Sequence, residues 1–256
     1  VGEKKMNTLH SKFERRLVVE CTASTLEPLH VGTGRETETM QDSKSRPIIP
    51  GSSIKGSFRA HLTRLLKSLT DETRKSLHIE RIEADEAVLE KFQEAGDSET
   101  KLKFFKELGV IDKLFGASGF AAPLKYTDAT ISQSVKAIRR THVRIDVNRD
   151  KAVRGALFDM EAAPENSQFN FKIIYEELSD PLMKDANTAF YELILKPLCA
   201  GIEMYLGGLK SRGYGLCTIK ANKIQVYTPE DLALAKEPKS YQNYEKFKEE
   251  IVAGEV

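Results

Sequence analysis

The chain has 256 residues, 39 Lys and Arg against 38 Asp and Glu, three cysteines, no tryptophan and 40% apolar residues. That length allows one large domain or two small ones with a substantial core, and 30% charged residues with no long apolar run argue against a membrane span. A net charge of +1 argues against both a DNA-coating basic protein and an acidic tail protein. The first fifteen residues are polar and basic without an apolar segment, so no secretory signal is expected and residues 1–14 read as a loose arm. Residues 17–31 are rich in β-branched side chains and predict a long strand kinked near Pro28, followed by a glycine turn and a polar loop over 35–46. The rigid segment PIIPG leads into SSIKGSFRAHLTRLLKSL, whose apolar residues at three- and four-residue spacing predict an amphipathic helix N-capped by Ser52 and Ser53. Residues 71–107 read as a charged helical insertion and 110–116 as a short apolar piece, with strands over 124–131, 156–162 and 168–176. Residues 136–154 are basic and broken by turn formers, which predicts a protruding loop or hairpin. A second helix is expected over 187–206, interrupted at Pro197, and a last strand over 216–227. The order β-α-β-β-α-β predicts an α+β fold with a ferredoxin-like, RRM-like core.

Charge is segregated along the chain. Residues 43–70 hold six basic residues and no acid, residues 135–155 hold seven against two, and residues 207–223 hold four and none. Folding that joins these segments would create a basic face on a near-neutral protein, whereas separate segments would be ordinary solvated surface. Two stretches carry the chemistry. In PGSSIKG, a helix start, the hydroxyls of Ser52 and Ser53 and the cations Lys55 and Arg59 suit a phosphate. The P-loop spacing is missing, which argues against nucleotide hydrolysis. In GGLKSRGYG, Gly207 and Gly208 permit close backbone approach, while Lys210, Ser211, Arg212 and Tyr214 supply cations, a hydroxyl and a stacking ring. His30 is a candidate base or RNA contact. Glu36 and Asp42 are candidate catalytic acids in a polar loop that also has a structural reading. Cys21, Cys199 and Cys217 are isolated and read as reduced thiols of a cytoplasmic protein. No His/Cys cluster indicates a bound metal.

LHVGTG, RPIIPGSSIKGSFRAHL, KLFGAS, KYTDATI, GALFDMEAAPENSQFNFKI and YLGGLKSRGYG occur in that order. Together they resemble the CRISPR-associated RAMP superfamily, most closely the repeating backbone subunit of type III (Csm/Cmr) effector complexes. The resemblance implies a single RAMP domain with an RRM-like core over 15–69 and 109–227, a helical insertion over 70–108, a thumb-like hairpin over 135–155 and a tail over 228–256. It implies copies polymerising along a CRISPR guide RNA, with target RNA, other copies and other effector subunits as partners and no membrane. The matched RNA-binding positions are Ser52, Ser53, Lys55, Arg59, Gly207, Gly208, Ser211, Arg212 and Tyr214. The basic loop that includes Arg140 and Arg144 aligns with the thumb, with Val143 and Ile145 as its apolar wedge. Active relatives cleave target RNA with a loop aspartate. Here the loop is shorter, Asp42 matches a more distal acid, and Glu36 falls at the catalytic position. Cleavage, with Mg2+ and no tightly bound cofactor, therefore stays open. The alternatives are a guide-precursor-processing endoribonuclease using His30 and a ferredoxin-like scaffold without RNA affinity.

Overall fold

The structure, a computed structural model, describes residues 12–33, 37–131, 135–146 and 151–252, with the side chains of 144–146, 151–156 and 252 excepted. In chain order the elements are β1 (Phe13–Thr25), β2 (Ile48–Ile49), α1 (Gly51–Ser68), α2 (Asp71–Ser76), α3 (Glu86–Glu94), α4 (Ser98–Phe105), α5 (Val110–Phe115), β3 (Leu124–Tyr126) and β4 (Ala129–Ile131). There follow β5 (Ile138–Asp146), β6 (Lys151–Ala162), β7 (Gln168–Leu178), α6 (Lys184–Ala189), a π turn (Phe190–Leu195), α7 (Lys196–Ala200) and β8 (Ile202–Tyr205). A 3-10 turn (Lys210–Arg212), β9 (Leu216–Tyr227), α8 (Pro229–Ala233), β10 (Lys239–Tyr241) and α9 (Tyr244–Phe247) complete it.

The fold is α+β, built on an antiparallel sheet in the order β10-β9-β1-β7-β4-β2, with β3 also on β7 and β8 also on β9. Strict alternation makes the inner face. Leu17, Val19, Cys21 and Ala23 of β1, Phe169, Phe171, Ile173 and Tyr175 of β7, and Cys217 and Ile219 of β9 are all buried. Against them α1 lays Ile54, Phe58, Leu62 and Leu66, while Phe190, Ile194 and Leu198 come from the second helical segment. The opposite face is polar: the Thr22 hydroxyl donates to Asn170 and accepts from Asn222, both at 2.8 Å.

Several expectations need correction. The first strand already includes Phe13 and Glu14 of the expected arm, and it ends at Thr25. Neither Ser52 nor Ser53 caps α1: the helix starts at Gly51 with Pro50 as N-cap, and the Gly51 amide donates to Asp128 at 2.8 Å. A Cβ on Gly51 would lie 2.4 Å from the Tyr126 carbonyl, so only glycine admits this approach. The apolar piece 110–116 is a helix, and the strand over 124–131 is split in two by Thr127 and Asp128. The second helix passes Pro197 through a π turn, which accommodates the missing donor, and stops at Gly201 with φ +92°. Ile202–Tyr205 is consequently strand β8 rather than helix. The expected tail is integral to the core through the buried side chains of Tyr241, Tyr244 and Phe247. It is further tied by Arg15, which ion-pairs with Glu177 at 2.8 Å and donates to the Ile251 carbonyl at 2.9 Å.

All three cysteines are free. Burial pushes the Cys199 thiol up to about 11 and that of Cys217 up to about 12, and raises Cys21 further still, so these thiols are unreactive. Among the described residues, no helix is long and apolar enough to cross a membrane.

Candidate nucleic-acid interface

The two central strands carry no aromatic ring on the exposed face of the sheet, where Tyr205 of β8 is 42% exposed. The outward residues of β1 are Arg16, Val18, Glu20, Thr22 and Ser24, and those of β7 are Gln168, Asn170, Lys172, Ile174 and Glu176. None is aromatic, whereas a nucleic-acid-binding sheet stacks bases on aromatic rings.

A candidate interface lies where the glycine loop closes on the chain leaving β1. The Gly208 amide donates to the His30 carbonyl at 2.9 Å, the Gly215 amide to Pro28 at 2.9 Å, and the Leu206 amide to Gly215 at 2.8 Å. Gly207 has φ +68°, and a Cβ there would sit 2.2 Å from the His30 carbonyl oxygen. Gly215 is equally constrained, at φ +89° and 2.2 Å from the Leu206 carbonyl oxygen. These glycines therefore hold the loop against residues 28–30, which leaves Lys210, Ser211 and Arg212 on an exposed 3-10 turn.

The start of α1 faces this loop. Ser53, Gly56, Ser57 and Ala60 line a cleft of about 340 Å³ with Val31, Gly32, Gly207, Gly208 and Lys210. The wall is made of hydroxyls, glycines and one lysine, so a phosphodiester backbone can approach closely and find donors. Ser57 and Gly56 escaped the sequence reading, although they share one face of α1 with Ser53 at helical spacing. Ser52 is exposed beside the cleft.

Lys55 and Arg59, expected in the same cradle, are on the other flank of α1. They line a separate cleft of about 450 Å³ with Asp112, Gly116 and Ser118. Arg59 pairs with the buried Asp112 at 3.3 Å and donates to the Gly116 carbonyl at 3.4 Å. Burial and the Arg59 charge hold the Lys55 ammonium below its ordinary pKa. The cradle is thus divided, because residues at 55 and 59 point about 200–240° around the helix from Ser53.

The basic segment 136–154 belongs to a two-stranded hairpin, β5–β6, longer than expected because it absorbs the strand predicted at 156–162. Its root meets the glycine loop through Tyr214. Tyr214 is 0% exposed and packs with Met160, Ala162 and Leu209. Its hydroxyl is hydrogen-bonded to His142 Nε2 at 2.6 Å, and Arg140 lies over its ring at 5.7 Å. The expectation of Tyr214 as a base-stacking surface is corrected: buried under the hairpin, the ring has no open face and anchors the loop instead. His142, stacked on Phe158, escaped the sequence reading. Arg140 also pairs with Glu165 at 3.5 Å. Val143 is 46% exposed opposite Leu157, which is 69% exposed and was not anticipated. The Arg144 side chain and that of Ile145 lie outside the described residues.

His30 is 5% exposed, and its Nδ1–H donates to the Glu161 carbonyl at 2.7 Å. That partner leaves Nε2 as the remaining ring nitrogen, beside Gly32 at the cleft wall. Buried in this way, His30 braces the hairpin against the glycine loop. Asp42 organises its own loop. Its carboxylate accepts from the Lys44 amide at 2.8 Å, the Arg46 amide at 3.0 Å and Arg46 Nε at 2.8 Å. These backbone and side-chain bonds to Arg46, helped by the Lys44 amide and the Arg46 charge, hold it below the usual carboxylate range. Asp42 is thereby held ionised and oriented by its own loop. Glu36 lies outside the described residues. Among the described residues, no cluster of three or more His, Cys, Asp or Glu side chains could hold a metal ion.

The family model described as RAMPs, the RAMP superfamily, matches residues 22–218, a span that includes α1, the hairpin and the glycine loop. No curated protein matches the chain.

Proposed function

The chain belongs to the RAMP superfamily, and from that premise we propose that it is a guide-RNA-binding backbone subunit of a type III CRISPR interference complex. Membership itself supports a CRISPR-associated role in RNA binding. The finer reading rests on one observation: the PGSS helix start and the glycine loop, 155 residues apart from Ser52 to Gly207, form the two walls of a single cleft. Guide phosphates lie in this cleft, and the strand continues over the exposed small residues Gly56 and Ala60 toward Lys55 and Arg59. Arg140, Val143 and Leu157 belong to the hairpin that parts guide and target, with copies of the chain repeating along the RNA beside other effector subunits. A ferredoxin-like core is supported by the order β9-β1-β7-β4 and by helical segments between β1 and β3 and between β7 and β9. The role is one of binding. Cleavage of bound target RNA would fall to an acid of the loop that holds Asp42.

Gly56→Asp tests the cleft without crowding the fold, because a Cβ there meets nothing within 4 Å. Loss of more than tenfold in single-stranded RNA affinity by filter binding is expected, and unchanged affinity would overturn the proposal. Native purification tests the assembly, which requires a defined set of small RNAs and large protein partners to accompany the chain.

A further inference from the structure

We propose that the chain carries a second anion site, for the phosphates of a single-stranded RNA, built by Lys223, Lys239 and Lys246 at the β10 edge of the sheet. The three lysines come from β9, β10 and α9 and line a cleft of about 740 Å³ with Ser240, Gln242 and Asn243. Every one of these residues lies beyond residue 218, where the family match ends. From the glycine turn the site is roughly 25 Å away along β9, at about 3.3 Å per residue.

The charges around it are unevenly satisfied. Glu250, the acid in the cleft wall, accepts from the Tyr241 hydroxyl at 2.9 Å. Glu20, across the strands from Lys223, pairs with Lys172 at 3.4 Å. Asp231 accepts from the Thr228 amide at 2.9 Å. Asp231 feels the Lys239 charge, but among the described residues Lys223, Lys239 and Lys246 make no direct ion pair. Three ammonium groups against one carboxylate around a single concavity give it an excess of positive charge that an anion can meet. The Asn243 carbonyl oxygen accepts from the Glu245 amide, and the cleft lining adds the Asn243 amide nitrogen and the Ser240 hydroxyl as neutral donors. Cations and neutral donors from separate elements match the several acceptor oxygens of a phosphate. The identity of the phosphate carrier rests on the RNA-binding reading, whereas the anion site does not.

Amide-shift titrations of the whole chain with pyrophosphate and with a ten-nucleotide single-stranded RNA test it. Both probes should shift the amides of residues 239–246. Replacing the three lysines together (Lys223→Ala, Lys239→Ala, Lys246→Ala) should abolish those shifts and weaken RNA binding five- to tenfold. The log–log salt slope should fall by roughly 2, at about 0.7 per charge for single strands. Shifts with pyrophosphate but not RNA would overturn the strand assignment in favour of a small free phosphate, and no shift with either would overturn the site. RNA shifts confined to the glycine loop would reject this site and spare the guide-binding reading. Shifts confined to residues 239–246 would do the reverse.

Discussion

The two flanks of α1 are lined by different kinds of residue. Toward the glycine loop, Ser53, Gly56, Ser57 and Ala60 present small side chains and hydroxyls to a wall of glycine backbone. Toward α5, Lys55 and Arg59 present charge, and a buried acid at 3.3 Å already neutralises much of it. The first flank is defined by shape and the second by electrostatics. A strand crossing the helix would thus be gripped on the side with little formal charge, because close approach lets the Ser53 and Ser57 hydroxyls reach its phosphates. The cationic side adds long-range attraction that salt weakens.

The sharpest way to break this comparison is Gly207→Ala. The added methyl must displace the His30 carbonyl and adopt a positive φ, which costs on the order of 2–3 kcal/mol in urea unfolding and opens the cleft. RNA affinity should fall at least thirtyfold, and a drop of only twofold would mean that shape is not what grips. A smaller effect is expected from Tyr214→Phe, which keeps the ring and removes only its bond to His142. About 1 kcal/mol of stability should be lost, with RNA affinity reduced about threefold and the hairpin amides exchanging faster. Unchanged exchange would show that apolar packing alone anchors the hairpin.

The smallest and most diagnostic effect is expected at Asp112→Asn, which frees Arg59 from its carboxylate. Affinity for RNA should rise about twofold at low salt, opposite in sign to the other substitutions. The same residue carries a pH signature. Burial pushes its carboxyl above the usual range, and the Ala84 and Gly109 amides and the Arg59 charge offset this only in part. Between about pH 4 and that raised value the folded chain binds more protons than the unfolded one, so this group's contribution to stability falls as pH rises. Urea midpoints across that range should decline more steeply in the wild type than in Asp112→Asn.

Much of the secondary structure was legible because local periodicity carries it. The alternation of Phe169, Phe171, Ile173 and Tyr175, the α1 stripe and the bounds of β9 needed no tertiary information. Positions that depend on a distant partner were not legible. Pro50 displaces the two serines as cap because Asp128 takes the Gly51 amide, and residues 228–252 enter the core through contacts made by Arg15 and Tyr191.

The residues of the candidate interface divide in the same way. Which residue types could meet a phosphate, and that three basic segments exist, are properties of composition and order. Which of them share a wall depends on rotation about α1, which helical spacing encodes, and on the sheet order, which no local pattern encodes. Ser53 and Gly207 meet because β1 and β9 are neighbours, and Tyr214 is buried because the hairpin folds over it. Lys55 turns away because a helix advances about 100° per residue. Side-chain chemistry is local, whereas burial and convergence are set only once the chain has closed on itself.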